Sequence, residues 1–249
     1  MEFREEQMAR YQRHLVIDEI GREGQQKLFD AKVLVIGAGG LGSPAALYLA
    51  AAGTGTLGIA DPDLVELSNL QRQIMHTTDS LGRPKAESAR RAVTAINPYA
   101  VVNIYKIYAD KDNIMELIEG YDFIIDATDN FSSKFLINDA CVKAGKPFSH
   151  AGVTRFQGQL FTYVPGSSPC YRCLFKEPPP EGAVPAGNQA GILGAVCGVT
   201  GSLQAMEAVK YITGAGDLLT GRMLVFDALG MKFRTVKFQK DKDCSVCSV

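Results

Sequence analysis

The chain has 249 residues, 46% of them hydrophobic and 21% charged, a profile that fits one large α/β domain or two small ones around a sizeable core. A net charge of −1 supplies no basic face for nucleic acid, and no apolar run reaches the roughly 18 residues of a membrane span. The charged N-terminus MEFREEQMARYQRH lacks the apolar core of a signal peptide, which points to the cytoplasm, and six cysteines are too sparse for a disulfide scaffold.

Phe3 to Ile17 reads as a helix, Gly21 breaks it, and Gly24 to Asp30 reads as a second short helix. This arm must pack on its own domain or on a neighbouring subunit, and Arg10 and Arg13 in RYQRH read first as a solvated helix face. The next stretch, KVLVIGAGGLGSPAALYLAAAG, organises the chain. Val33 to Ile36 is a buried parallel strand by its apolar, β-branched run, and Ser43 to Ala52 is an Ala/Leu-rich helix. Between them Gly37, Gly39 and Gly42, with Gly40 beside them, give a GxGxxG turn whose N–H groups and helix dipole favour a phosphate. The strand Leu57 to Ala60 ends at Asp61, where a carboxylate can take ribose hydroxyls.

A glycine turn and an acid alone would suggest an NAD(P)-dependent oxidoreductase. The segment DPDLVELSNLQRQ then adds Asp63, Ser68, Asn69, Leu70, Gln71 and Arg72, and GRPKAESARRAV places Lys85 near a helix start. DATDN adds Asp129 and Asn130 at a strand end. Arg and Lys aimed at one pocket suit a triphosphate, whose charge rises locally during nucleotidyl transfer, and a carboxylate beside it suits Mg²⁺. Asp63 and Ser68 are the most ordinary of these residues, and His76 reads as structural. A helix from Pro84 through Ile96, a strand Val101 to Ile107, a helix Asn113 to Glu119, a strand Phe123 to Asp126 and a helix Phe131 to Ala144 continue the alternation. The expected fold is α/β: a doubly wound Rossmann-like sheet, parallel in this half.

After Pro147 the pattern changes. Pro147 to Val153, Gln157 to Pro165, Met223 to Asp227 and Lys232 to Phe238 read as short strands at hairpin-like spacing, so the sheet should continue antiparallel. One long helix, Gly191 to Thr213, is apolar on several sides and should be buried or at an interface. His150 reads as a packed or hydrogen-bonded strand residue. The division expected is a single domain, 1–249, with a helical arm (1–30), a nucleotide half (31–147) and a partner-binding half (148–249).

Cys170, Cys173, Cys244 and Cys247 form CxxC…CxxC, both pairs outside regular secondary structure by pattern. Four thiolates from two turns suit a closed structural Zn²⁺ site. A redox CxxC is the alternative, but it expects a helix N-terminus to lower a thiol pKa. Cys141 and Cys197 sit in apolar helices and read as packing residues.

GAGGLG, DPDLVELSNLQRQ, GRPKAESA, DATDN, CYRC and GSLQAMEAVK together, in this order from about Met8 to Cys247, resemble the MoeB/ThiF/HesA family of adenylyltransferases, the bacterial relatives of ubiquitin-activating enzymes. Within it the motifs sit nearest the branch that activates molybdopterin synthase. The resemblance implies adenylation of the Gly-Gly C-terminus of a ubiquitin-like sulfur-carrier protein, in molybdopterin or thiamine biosynthesis, by a homodimer using ATP, Mg²⁺ and Zn²⁺. It assigns the ribose to Asp61, the phosphates to Asn69, Arg72 and Lys85, and Mg²⁺ to Asp129. It also has Arg13 reach into the partner subunit's site. In the loop KEPPPEGAVPAGNQAG, Gly187 stands where some relatives carry a reactive cysteine, and no cysteine occurs from Lys176 to Val196. That departure sets a thioester or acyl-disulfide step in doubt and leaves adenylation untouched. The rivals are the oxidoreductase and a non-catalytic scaffold that binds a ubiquitin-like protein.

Overall fold

The parallel half of the sheet begins with β1 (Lys32–Ile36), flanked by β2 (Thr56–Ala60) and then β3 (Val101–Tyr105) on one side, and by β4 (Phe123–Asp126) on the other. The computed structural model describes residues 3–166, 168–180 and 190–248. β5 (Phe148–Thr154) pairs parallel with β4, and β6 (Gln157–Tyr163), β7 (Arg222–Asp227) and β8 (Lys232–Lys237) follow antiparallel. The result is one eight-stranded sheet in the order β3-β2-β1-β4-β5-β6-β7-β8, parallel first and antiparallel after β5, as the sequence pattern predicts. The sheet runs unbroken across residues 147–148, because β4 and β5 are paired neighbours.

Alternation along the strands sends successive side chains to opposite faces. Val33, Val35, Phe123 and Ile125 pack on one face with α3 (Gly42–Ala52), α4 (Lys85–Ile96) and α8 (Gly194–Thr213). Leu34, Ile36 and Ile124 pack on the other with α5 (Ile114–Glu119) and α6 (Phe131–Lys143). Both faces are covered, so these strands read as continuous apolar runs rather than as alternating ones. Truncating a fully buried residue such as Ile125 to alanine would cost about 2–5 kcal/mol.

The arm forms α1 (Glu5–Leu15) and α2 (Gly21–Asp30), within a few residues of the expected spans. Its anchors lie at the end of the sheet where β2 and β3 begin: Asn97 Nδ2 donates to Tyr11 Oη at 2.9 Å, and Gln25 Nε2 to the carbonyl of Ala52 at 2.9 Å. Arg10 is not merely solvated, since its Nη1 donates to the last carbonyl of α4, Ile96, at 2.8 Å. The long helix α8 is buried along one side by Val196, Cys197, Thr200, Gln204 and Ala208, as its composition predicts. One expectation is corrected. Cys173 is inside a helical turn, α7 (Tyr171–Leu174), with Cys170 at its N-cap, so the first CxxC is not outside regular structure. A four-residue helix carries no periodicity for a sequence reading to detect. Among the described residues no helix is long and apolar enough to cross a membrane. Gly187 and the 181–189 part of its loop lie outside the described residues.

Candidate nucleotide site and four-cysteine centre

The strand order places β1 between β2 and β4, and that reversal of winding opens a crevice at the carboxyl ends of the strands. The glycine turn stands there. Gly37 adopts φ +101°, and a Cβ on it would lie 2.7 Å from the Ala127 carbonyl oxygen. A Cβ on Gly42 would lie 1.8 Å from the Gly37 carbonyl oxygen, so only glycine lets α3 start this close under the turn. Gly39 is partly exposed, and Gly40 lies against Cys197 of α8 and the stem of Arg72.

Asp61 shapes this turn from the end of β2. Its Oδ2 accepts the Ala38 N–H at 2.8 Å and its Oδ1 the Asp63 N–H at 2.9 Å. Burial pushes its carboxyl above the usual range, opposed by Lys85 and by those two N–H groups. Beneath the turn, His76 Nε2 lies 2.8 Å from the Ala38 carbonyl, which can only accept, so Nε2 carries the proton and Nδ1 faces Ser88 Oγ at 2.9 Å. The structural reading of His76 stands.

The DPDLVELSNLQRQ segment closes the crevice through a 3₁₀ turn, Leu67–Asn69. Asn69 is buried and caps this turn with its own side chain, Oδ1 accepting the Glu66 N–H at 3.1 Å. Ser68 is exposed, Leu70 half-buried and Gln71 exposed. Arg72 is half-buried and donates from Nη1 to the Ser68 carbonyl at 3.1 Å. Lys85, at the first turn of α4, is buried with its Nζ 2.8 Å from Asp63 Oδ2. Asp129 is exposed on the loop between β4 and α6, and Asn130 caps α6 by accepting the Ser133 N–H at 2.8 Å. Asp61, Arg72 and Lys85 therefore gather around the glycine turn, while Asn69 and Asn130 also serve the local backbone. Arg13 is exposed and does not belong to this group. Its neighbour His14 lies 2.9 Å from Gln25, at the opposite end of the strands.

Several residues here were not singled out in the sequence. Gln73 is 4% exposed, its amide lies beside Gly39, and its Oε1 has no protein partner. Asp126, at the end of β4, is fully buried with Lys134 Nζ at 3.5 Å and His150 Nδ1 at 2.9 Å. Burial pushes the Asp126 carboxyl up, but the Lys134 charge and the hydrogen bonds from His150 and Thr128 outweigh it and hold the carboxyl at about 2. Burial, then the Lys134 charge, holds His150 down at about 4, so its ring is neutral. His150 is thus the hydrogen-bonded strand residue that the sequence predicts, and the clue to its partner is the polar Asp126 ending an apolar strand.

The cysteines converge as their spacing predicts. Cys170 Sγ lies 4.0 Å from Cys173 Sγ and 3.6 Å from Cys244 Sγ, and Cys173 Sγ lies 3.4 Å from Cys247 Sγ. All four sulfurs fall within 4.8 Å of one another. A tetrahedral site with metal–sulfur bonds near 2.3 Å requires sulfurs about 3.8 Å apart, so the donor set fits Zn²⁺. The turn is bolted to α6: Arg172 grips Asp139 with two hydrogen bonds of 2.8 Å, and the Tyr171 N–H donates to Asn138 Oδ1 at 2.8 Å. Cys141 and Cys197 are buried, and burial pushes both thiols up, Cys197 to about 11 despite nearby Arg72.

The chain resembles known proteins along nearly its whole length. The ThiF family model matches residues 11–246. The chain is 47% identical over 241 residues to the SAMP-activating enzyme E1 of Haloferax volcanii, covering 97% of this chain and 89% of that protein. It is 42% identical over 252 residues to the sulfur carrier protein adenylyltransferase of Thermus thermophilus, covering 99% of this chain and 93% of that protein. Other relatives are longer, and the chain spans 61% of one and 53% of another. Among solved structures, E. coli MccB superimposes with a TM-score of 0.86 at 25% identity, covering 97% of this chain and 75% of MccB. A family match across nearly the whole chain, with relatives at 47% and 42% identity covered almost end to end, shows that this chain belongs to the ThiF family.

Proposed function

We propose that this chain is an adenylyltransferase that activates the C-terminal glycine carboxylate of a small ubiquitin-like sulfur-carrier protein with ATP. The observation that carries the reading is the gathering of Arg72, Lys85 and the Asp61 carboxylate around one glycine turn. The names of the relatives, a SAMP-activating enzyme and a sulfur carrier protein adenylyltransferase, support the same reaction class.

A carboxylate is ionised at neutral pH, so its oxygen attacks the α-phosphorus without a general base. The new bond joins that oxygen to phosphorus, the bond from the α-phosphorus to the bridging oxygen breaks, and pyrophosphate leaves with the electron pair. What the protein supplies is alignment and charge. Asp61 takes the ribose, the N–H groups of the Gly37–Gly42 turn approach the phosphates, and Asn69, Arg72 and Lys85 hold them. Asp129 would hold Mg²⁺, which neutralises charge on the leaving pyrophosphate. Its exposed carboxylate suits that role, whereas Asp126 is already spent on internal partners.

Arg13 would serve the site of a second copy, in a homodimer. Its own glycine turn lies at the far end of strands about 16 Å long, which favours action in trans. The four cysteines would hold Zn²⁺ and tie the C-terminal segment to α6. No cysteine occurs from Lys176 to Val196, so the product leaves as an acyl-adenylate, and a separate donor supplies sulfur in the cytoplasm. Mass spectrometry of a Gly-Gly-ended carrier incubated with the chain and MgATP tests the reading. A carrier bearing AMP on its terminal carboxylate is expected, and an unmodified carrier with every candidate tried would overturn it.

A further inference from the structure

The loop that carries Asp129 is held by two buried charges to which the adenylation reading gives no task. Asp126 Oδ1 accepts both the Thr128 N–H, at 3.1 Å, and the Thr128 hydroxyl, at 2.6 Å. Lys134 Nζ, from the first turn of α6, donates to the Thr128 carbonyl at 2.8 Å and to the Ala151 carbonyl of β5 at 2.6 Å. The same ammonium stands 3.5 Å from Asp126 Oδ2, where the His150 Nδ1–H also donates at 2.9 Å.

Thr128 is thus gripped on both sides. Its N–H belongs to one peptide plane and its carbonyl to the next, so fixing both fixes the direction in which the chain leaves for Asp129. Lys134 and Asp126 have side chains only 8% and 1% exposed. A buried ion pair is a poor way to gain stability, because the desolvation of two charges offsets most of their attraction, and an apolar pair of similar volume would serve as well. What an apolar pair could not do is hold an amide and a carbonyl of the same residue. The β5 anchor at Ala151 makes the grip rigid, since that carbonyl belongs to the sheet.

We propose that Lys134 and Asp126 are positioning residues for nucleotidyl transfer: together they set the backbone of residues 127–130 so that the Asp129 carboxylate meets the metal on the triphosphate. This rests on the adenylation reading for the step it serves. It does not need Lys134 to touch the nucleotide.

The test compares the full chain with Lys134→Met and Lys134→Arg. Pyrophosphate exchange is followed against Mg²⁺ concentration, and ATP binding is followed by calorimetry with Mg²⁺ and with EDTA. Lys134→Met should lower kcat by about 10²-fold, the scale of a misplaced catalytic group. It should also raise the Mg²⁺ concentration needed for half-maximal rate, while ATP binding in EDTA stays near that of the unaltered chain. Lys134→Arg, which keeps charge and donors, should restore most of both. A Lys134→Met protein with unaltered kcat and Mg²⁺ requirement overturns the proposal. So does one whose activity falls only in step with its melting, at an unchanged Mg²⁺ requirement. If Lys134→Met does not fold, Thr128→Val decides, because it removes only the hydroxyl held by Asp126 and should shift the Mg²⁺ requirement the same way. Should the unaltered chain show no exchange with any carrier, the adenylation reading fails. The Mg²⁺ dependence of ATP binding in the variants would still decide the positioning role.

Discussion

Lys85 is bound to Asp63 twice, its N–H to the Asp63 carbonyl at 2.8 Å and its Nζ to Asp63 Oδ2 at 2.8 Å. Asp63 is thus the ordinary salt-bridge partner that the sequence predicts, and in that role it orients the cation assigned to the phosphates. The side chains differ in exposure, 8% for the lysine and 62% for the aspartate, so the pair itself contributes only about 0–1 kcal/mol to stability. Lys85→Met should therefore lower pyrophosphate exchange by about 10²–10³-fold with little change in melting, as loss of a preorganised charge does. Asp63→Asn should cost only about 3- to 10-fold. Exchange rates of the two purified variants check this ordering, and equal losses would contradict it.

Arg72 is half-buried and tied to the chain by one hydrogen bond, to the Ser68 carbonyl at 3.1 Å. Arg72→Ala should leave circular dichroism and melting close to those of the unaltered chain while removing about 10²-fold or more of exchange activity. A scaffold that merely holds a ubiquitin-like partner would show no exchange with or without the change, and a variant that keeps full exchange would contradict the role given to Arg72.

Gly42→Ala places a methyl 1.8 Å from the Gly37 carbonyl, and the start of α3 must move away from the turn. Loss of ATP binding by calorimetry is the expected result, with a stability cost of about 1–3 kcal/mol for the overpacking. Unchanged ATP affinity would mean that the turn does not cradle the nucleotide.

The four-cysteine centre predicts one tightly held zinc per chain by elemental analysis. Removing it with a chelator, or replacing Cys244 by serine, should lower the melting temperature and expose the C-terminal segment to protease, because the cluster joins two distant parts of the chain. Metal-free protein that melts at the same temperature would contradict the assignment.

The buried histidines set a pH dependence. Burial, then the Lys134 charge, holds the folded His150 at about 4, against about 6.5 for an unfolded histidine. Between those values the unfolded chain binds a proton that the folded one refuses, so stability rises with pH and is lost as pH falls below 6.5. His76, lowered by burial, acts with the same sign. The depressed Asp126 contributes stability that is fully present above about 3.8 and is lost as pH falls from there to about 2. Urea unfolding from pH 7 to pH 5 should show falling stability, by at most about 1.4 kcal/mol per pH unit for each histidine. His150→Gln should flatten the slope.

The sheet was legible because its strands are uniformly apolar and its punctuation is strong. Val33–Ile36, bounded by the glycine turn, could be little else. The cysteine centre was legible from spacing alone. The floor of the site was not. Lys134 lies in the first turn of α6 with nothing local in the sequence to single it out, and only the fold shows it turned inward onto Thr128. Gln73 was hidden for the same reason, since nothing local says that its amide is buried beside Gly39. Asn69 shows the converse, a phosphate candidate from its motif that also caps its own turn.

Pyrophosphate exchange into ATP measures the central assignment most directly. The purified chain, given MgATP, labelled pyrophosphate and a sulfur carrier ending in Gly-Gly, should form labelled ATP, and should form none when the carrier lacks its final glycine. Tight NAD(P)H binding with hydride transfer, and no exchange with any carrier, would contradict it.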